Sequence, residues 1–136
     1  MKTRNLYTII FFIVLIISFY ACGDTLDLNP GNSTENVSKF LGTWHVSDQA
    51  DRLNYDVEIK RSTNDSTSII LENFADMGGS AIGMVIGNNV VISLQPIGGG
   101  MKSEGSGVYL SANELKFNFT LDDGIDSESR LAFFNK

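Results

Sequence analysis

Only a few side chains in this sequence can carry out nucleophilic, acid–base or metal chemistry. Among 136 residues, His45 is the only histidine and Cys22 is the only cysteine. A hydrolytic enzyme needs a nucleophile beside a base in a cleft, and the usual zinc sites need several histidine or cysteine ligands. His45 also falls between apolar residues in an alternating pattern, which points its side chain to solvent. The sequence therefore predicts no catalytic residue, no metal of this kind and no cofactor.

The remaining candidate for ion binding is a short acidic cluster near the C-terminus. Its members are Asp122, Asp123, Asp126 and Glu128. Carboxylate oxygens are good calcium ligands, but this spacing is not that of an EF-hand loop. Acidic residues around a glycine are more typical of an ordinary turn. We therefore interpret the cluster as a turn and predict no metal site there.

Cys22 lies at the end of an N-terminal segment typical of an exported protein. Two basic residues precede the stretch 9–19, which is apolar except for one serine. A membrane-spanning helix needs roughly 20 apolar residues, whereas this shorter stretch fits a cleaved export signal. The ending "FYAC" resembles the bacterial lipobox, in which the cysteine is lipidated and becomes the mature N-terminus. We expect residues 1–21 to be a signal peptide and Cys22 to carry lipid; an ordinary signal with an incidental cysteine is the alternative.

The chain that would remain after cleavage is strongly acidic. It keeps eight basic residues against sixteen acidic ones, which gives a net charge of −8. Phosphate backbones repel such a chain, so we exclude nucleic acid as a partner. Residues 22–38 are polar and carry few apolar side chains, which indicates a flexible tether after the anchor. In the best-known Gram-negative sorting rule an aspartate after the cysteine favours the inner membrane, so Gly23 favours the outer membrane.

From residue 39 onward the apolar residues recur with a period of two. In "LNYDVEIK" and "ELKFNFTL" apolar and polar residues alternate strictly, as they do in half-buried strands. The predicted strands are 40–48, 53–61, 67–74, 80–87, 90–96, 103–110, 114–121 and 127–135. Short turn clusters separate them, which excludes parallel crossovers. We predict an all-β domain, 39–136, whose roughly eight strands form an antiparallel meander that closes into a small barrel or a flattened sandwich.

The glycine-rich segment 97–107, "IGGGMKSEGSG", is the least regular part of this pattern. It is either a mobile loop or a pair of strands in which glycines mark bulges. Glycine inside a strand pattern more often has the second meaning.

The apolar faces of the strands are a second candidate site, because they would line the barrel interior. The lining residues would be Phe40, Trp44, Leu53, Tyr55, Val57, Ile59, Phe117 and Phe119. A barrel of eight strands is either filled by such side chains or holds one small ligand. Short strands leave little height for a cavity, so we favour a packed core over a pocket for a small apolar ligand.

The segment "FLGTW", at 40–44, resembles the opening of lipocalin and calycin barrels, where a Gly-x-Trp motif places the indole across the barrel floor. Nearly all of 40–136 resembles the small lipocalin-like lipoproteins of Bacteroidetes-type bacteria. The matching pieces are "GTWHV", "YDVEI", "LENF", "MVIGNNVVI" and "GSGVYLSANELKF". The resemblance implies a lipid-anchored barrel, and it implies no activity because the family has none assigned.

These observations indicate a non-catalytic lipoprotein of the cell envelope, anchored to the outer membrane through Cys22. We expect its barrel to act through its surface, by contact with an envelope protein or a glycan. The alternative is a lipocalin-like carrier of a small hydrophobic ligand in the barrel interior.

Overall fold

A computed structural model of the protein describes residues 33–50 and 52–136. The predicted export signal, Cys22 and most of the predicted tether lie outside the described residues. One short α-helix, α1 (Ser33–Ser38), precedes eight β-strands. The strands are β1 (Gly42–Asp48), β2 (Leu53–Arg61), β3 (Ser68–Glu72), β4 (Ser80–Ile86), β5 (Asn89–Gly98), β6 (Met101–Ser111), β7 (Glu114–Asp122) and β8 (Ser127–Asn135). No helix in this part of the chain is long and apolar enough to cross a membrane.

The eight strands form a closed antiparallel barrel. Each strand pairs with the next along the chain, and β8 pairs with β1 to close the sheet. The prediction of an all-β antiparallel meander is confirmed, and of its two variants the barrel is the one formed. We call the end where β1 begins the helix end, and the end where β1 finishes, at Asp48, the loop end.

Strict alternation along the strands separates an apolar interior from a polar exterior. In β2, for example, Tyr55, Val57 and Ile59 are buried while the residues between them are exposed. The same alternation on β7 and β8 sends aromatic side chains inward. Because the side-chain period of a strand is two, a shift of one residue in any pairing would expose this whole set. The hydrophobic pattern therefore fixes the register of the barrel.

Helix α1 covers the helix end of the barrel. It lies within the segment 22–38, for which the sequence indicated a flexible tether, and it places the fully buried Val37 in the hydrophobic core. Phe40 follows it into the barrel and packs edge-on against Tyr109, with ring centroids 5.8 Å apart. The burial of these side chains offsets the entropy lost in ordering the last residues before β1.

The glycine-rich segment forms the end of β5, a turn and the start of β6. Its glycines do not themselves form the bulges, because the residues of β5 that lie within the two register shifts of the β5–β6 pairing are Ser93, Leu94 and Ile97. The β5–β6 pairing has bulges between Ile92 and Gln95 and between Pro96 and Gly98. Within β6, a Cβ atom on Gly107 would lie 2.3 Å from the ring of Phe117. Glycine is required there because the phenyl ring occupies the space of a side chain.

A 3₁₀ turn (Phe74–Asp76) folds over the loop end and inserts the ring of Phe74, which is fully buried, into the barrel. Asn73, Ala75 and Asp76 have φ angles of 59°, 58° and 60°, a backbone conformation that non-glycine residues rarely adopt. Asn73 anchors the turn by donating a side-chain hydrogen bond to a backbone carbonyl oxygen of β2 at 3.1 Å. The turn thus acts as a plug for the loop end.

Candidate functional site

Seven of the eight predicted lining residues lie in the barrel core. They are Phe40, Trp44, Tyr55, Val57, Ile59, Phe117 and Phe119. The prediction is wrong for Leu53, which is 38% exposed. Leu53 has the inward parity of β2, but it is the first residue of that strand, opposite Asp48 at the loop end. Parity alone does not bury a residue that lies at the rim of a barrel.

Aromatic side chains fill the interior between the two ends. Phe74 packs against Phe119 with ring centroids 4.7 Å apart, and Phe117 packs against Phe134 at 4.6 Å. Both pairs are tilted, an arrangement that aromatic rings favour over a face-to-face sandwich. Aromatic side chains therefore occupy a large part of the barrel interior.

Trp44 closes the floor of the barrel at the helix end. Its indole Nε1 donates a hydrogen bond to the carbonyl oxygen of Phe40 at 2.8 Å, so the one polar atom of this buried side chain is satisfied. The ammonium group of Lys136 lies 4.1 Å from the centre of the indole ring and donates to the carbonyl oxygen of Leu41 at 3.0 Å. The C-terminus is therefore fixed across the floor by a cation–π contact and a hydrogen bond.

A buried ion pair lies inside the loop end. Arg130 donates from Nη1 to Asp48 at 3.1 Å, and the two side chains are 8% and 1% exposed. Arg130 also donates to the exposed Glu128 at 2.9 Å. Burial by itself lowers the pKa of Arg130, but the hydrogen bonds to Glu128 and Asp48 outweigh that effect and raise it. The guanidinium therefore stays charged and holds the strands β1 and β8 together.

Two buried hydroxyl groups at the loop end have no hydrogen-bond partner within the described part of the chain. They are the hydroxyls of Tyr55 and Ser103, both inward-facing. Burial, and next the charge of Asp48, raise the pKa of Tyr55 well above its usual range. A buried hydroxyl without a partner costs about 1–3 kcal/mol. These two groups are the polar atoms of the interior that a bound molecule would be able to satisfy.

The polar residues of the loop end are not evident from the sequence pattern. Arg130 shares its parity on β8 with the buried Ala132 and Phe134, so the alternation pointed it inward. Its charge argued for the outside, and the sequence did not show that Asp48 would lie opposite to compensate it. The missing information was that β1 pairs with β8, which brings together Asp48 and Arg130 although they are 82 residues apart in the chain.

His45 lies on the outer wall, as its parity predicts. Its Nδ1 makes a short hydrogen bond with Asp56, which is directly opposite in the β1–β2 pairing. The side chains of His45 and Asp56 are 77% and 61% exposed. They border an open cleft of about 320 Å³ that Ser47, Asn54 and other polar residues also line. A solvated pair of this kind lacks the water-excluded setting in which a general base works best.

The acidic cluster near the C-terminus stabilises the turn between β7 and β8. Oδ1 of Asp123 accepts hydrogen bonds from the backbone N–H groups of Ile125 and Asp126, both at 2.8 Å, and these bonds lower its pKa. Asp122 accepts another from Gly124 at 2.6 Å. No group of three or more histidine, cysteine or acidic side chains in the described chain is placed to hold a metal ion.

No protein-family model and no curated protein matches the chain. The closed eight-stranded antiparallel barrel is consistent with the lipocalin-like fold that "FLGTW" resembles. Trp44 is fully buried in this barrel. The fold alone assigns no activity, because unrelated functions share such barrels.

Proposed function

We propose that the protein is a non-catalytic, lipid-anchored lipoprotein of the bacterial cell envelope whose barrel acts through its outer surface. The observation that carries this proposal is the filled interior, in which Phe74, Phe117 and Phe119 pack against one another. When aromatic side chains fill the interior of a barrel, its outer surface is the part that binding partners can contact. The proposed partners are an envelope protein or a glycan.

The anchor is Cys22, and the small lipocalin-like lipoproteins of Bacteroidetes-type bacteria are the proposed relatives. Ten residues lie between Cys22 and Ser33, which makes eleven steps from the one Cα atom to the other. At about 3.3–3.6 Å per residue they span at most about 40 Å, which keeps the barrel close to the membrane. Gly23 favours the outer membrane as the destination.

The anchor is tested by blocking its two processing steps in an expressing bacterium. Globomycin, which inhibits the lipoprotein signal peptidase, should accumulate a larger precursor, and Cys22→Ser, which removes the lipidated thiol, should leave the protein either unprocessed or untethered. Ala21→Ser, which keeps a small residue before the cysteine, is the matched control and should be processed normally. Unchanged mobility and fractionation of the Cys22→Ser variant would refute lipidation.

The interaction is tested with the lipidated protein as bait in envelope extracts. A second bait, an unrelated lipoprotein of similar charge, controls for capture through the lipid or through acidic surface. We expect a specific envelope protein or a glycan-bearing fraction on the first bait alone. Identical captures on both baits would contradict the proposed surface interaction.

The second candidate function is transport of a small hydrophobic molecule. The unpartnered hydroxyls of Tyr55 and Ser103 favour it, because they are polar groups inside an apolar barrel. Native mass spectrometry of protein purified from its own host, followed by organic extraction, tests it. A stoichiometric small molecule, together with a response of Trp44 fluorescence to lipophilic probes, would support a carrier. A mass equal to the polypeptide plus its lipid would exclude one.

A further inference from the structure

The hairpin of β4 and β5 is unusual for the absence of charge. Residues 77–101, which include both strands, contain no aspartate, glutamate, lysine or arginine. Each of the other six strands carries at least one acidic residue. In a chain with this excess of acids, an uncharged stretch of that length sets one side of the barrel apart.

The outward positions of this hairpin are apolar as well as uncharged. Its large exposed side chains, each between 44 and 57% exposed, are Ile82, Met84, Ile86, Val91 and Leu94. Met84 lies directly opposite Val91 in the β4–β5 pairing. On the other side, Ile82 lies opposite the half-buried Ile70 of β3. We call this surface the β4–β5 face. Contiguous exposed apolar surface of this kind marks a site that contacts a protein or a membrane.

The chain also enters the barrel beside this face. Helix α1 contacts β4, and Nζ of Lys39 donates a short hydrogen bond to Oδ1 of Asn88 in the β4–β5 turn. Ten residues lie between Cys22 and Ser33, and a flexible chain of that length has a root-mean-square length of about 17 Å. A lipid anchor on Cys22 therefore holds the β4–β5 face within a short distance of the lipid headgroups.

Charge selects the same face. The chain that begins at Cys22 has a net charge of −8, and anionic headgroups repel acidic surface. The β4–β5 face carries no charge, so its approach to lipid meets the least repulsion. Its branched aliphatic and methionine side chains also gain by leaving water at the boundary between headgroups and acyl chains.

We propose that the β4–β5 face docks onto the lipid surface to which the protein is anchored. The docking rests on the proposed lipidation of Cys22, since the tether supplies the high local concentration that a face of this size needs. It orients the barrel, because β8 and β1 lie opposite β4 and β5 in the closed strand order. The cleft beside His45 then faces away from the membrane.

The test places one nitroxide label on each side of the barrel in the full lipidated protein. Lipidation consumes Cys22, so Met84→Cys and Asn118→Cys each provide a single free thiol. Asn118 is an exposed outward residue of β7 and serves as the matched control. The labelled proteins are reconstituted into vesicles of phosphatidylethanolamine and phosphatidylglycerol. The measured quantity is the ratio of two collision rates of the nitroxide, with oxygen and with a water-soluble nickel complex. This ratio rises when the label contacts lipid.

We expect this ratio to rise severalfold for the Met84→Cys label on reconstitution and to stay unchanged for the Asn118→Cys label. A further substitution, Ile86→Glu, should return the first label to its value in water while leaving vesicle flotation intact. If the protein floats with the vesicles while both labels report a water environment, the docking is wrong and the anchor is supported. Failure to float would overturn the anchor, and the docking with it. Spin–spin broadening of the Met84→Cys label that disappears on dilution with unlabelled protein would assign the face to a second copy instead.

Discussion

The hydroxyl group of Tyr55 allows a sharp test of the barrel's interior, because the substitution Tyr55→Phe should stabilise the protein. The Tyr55 oxygen is buried and finds no hydrogen-bond partner among the described residues, while its ring packs in the core. Phenylalanine keeps the ring and removes the oxygen. Tyrosine to phenylalanine substitutions usually remove a hydrogen bond, so a gain in stability would be specific to this geometry.

The expected gain is about 1–3 kcal/mol, the cost of burying a hydroxyl without a partner. For a domain of this size, each kcal/mol raises the thermal midpoint by about 4–8 °C. Urea denaturation followed by Trp44 fluorescence measures the gain directly, since this is the only tryptophan. Tyr109→Phe is the matched control at the half-buried tyrosine of the helix end, where we expect a change near zero.

The same substitution should flatten the loss of stability at alkaline pH. An unfolded tyrosine ionises near pH 10, whereas burial raises the pKa of Tyr55 in the folded protein. Above pH 10 the unfolded state therefore binds fewer protons than the folded state, and stability falls as the pH rises. The stability gap between Tyr55→Phe and wild type should widen from pH 8 to pH 11. A destabilised variant, or a gap independent of pH, would show that the hydroxyl is satisfied in the folded barrel and would refute the reasoning.

Three further substitutions test how the barrel is filled. Phe74→Ala removes the plug of the loop end and should lower the free energy of unfolding by about 3–5 kcal/mol, measured by urea denaturation. Gly107→Ala should destabilise by at least 1–3 kcal/mol, roughly the usual cost of overpacking, because the new Cβ would lie 2.3 Å from the Phe117 ring. Arg130→Met should cost about 3–5 kcal/mol at neutral pH, because it leaves the buried carboxylate of Asp48 without its partner.

Exposed neighbours provide the controls for these three variants. Leu94→Ala, Ser106→Ala and Glu104→Gln each change a side chain that lies largely in solvent, and each should shift stability by about 0.5 kcal/mol or less. A Phe74→Ala protein as stable as its control would mean that the loop end is open in solution. An Arg130→Met protein of unchanged stability would contradict the buried ion pair.

The strands were predictable from sequence because their signal is local and repeated. In β2, alternation of apolar and polar residues over eight positions indicated the strand, and the structure has the predicted range, Leu53–Arg61. The short connections gave the antiparallel order, since a meander needs no knowledge of distant contacts. The sequence predicted the pairing of β8 with β1 only as one of two alternatives, because the local pattern of apolar residues does not distinguish a barrel from a sandwich.

The missed features depend on contacts between distant parts of the chain. Helix α1 has six residues, too few to show a helical period, and only its docking on the barrel orders it. The left-handed backbone at Ala75 depends on the turn around it, and no residue preference would suggest it. Leu53 and Arg130 show the two ways in which parity misleads at a rim. An apolar inward residue is exposed there, and a charged inward residue is buried beside an opposite charge.

The proposed docking would place the two sides of the barrel in different environments. If the β4–β5 face rests on lipid, the wall formed by β8 and β1 is the one that other envelope components can reach. That wall borders the polar cleft beside His45 and Asp56, whose exposed imidazole and carboxylate are groups that hydrogen-bond to sugar hydroxyls or to a polar protein surface. The uncharged side and the polar side are fixed relative to each other because the packed core makes the barrel rigid. Loss of the membrane contact would therefore leave the affinity of this cleft for a soluble partner unchanged and alter only the direction in which the cleft is presented.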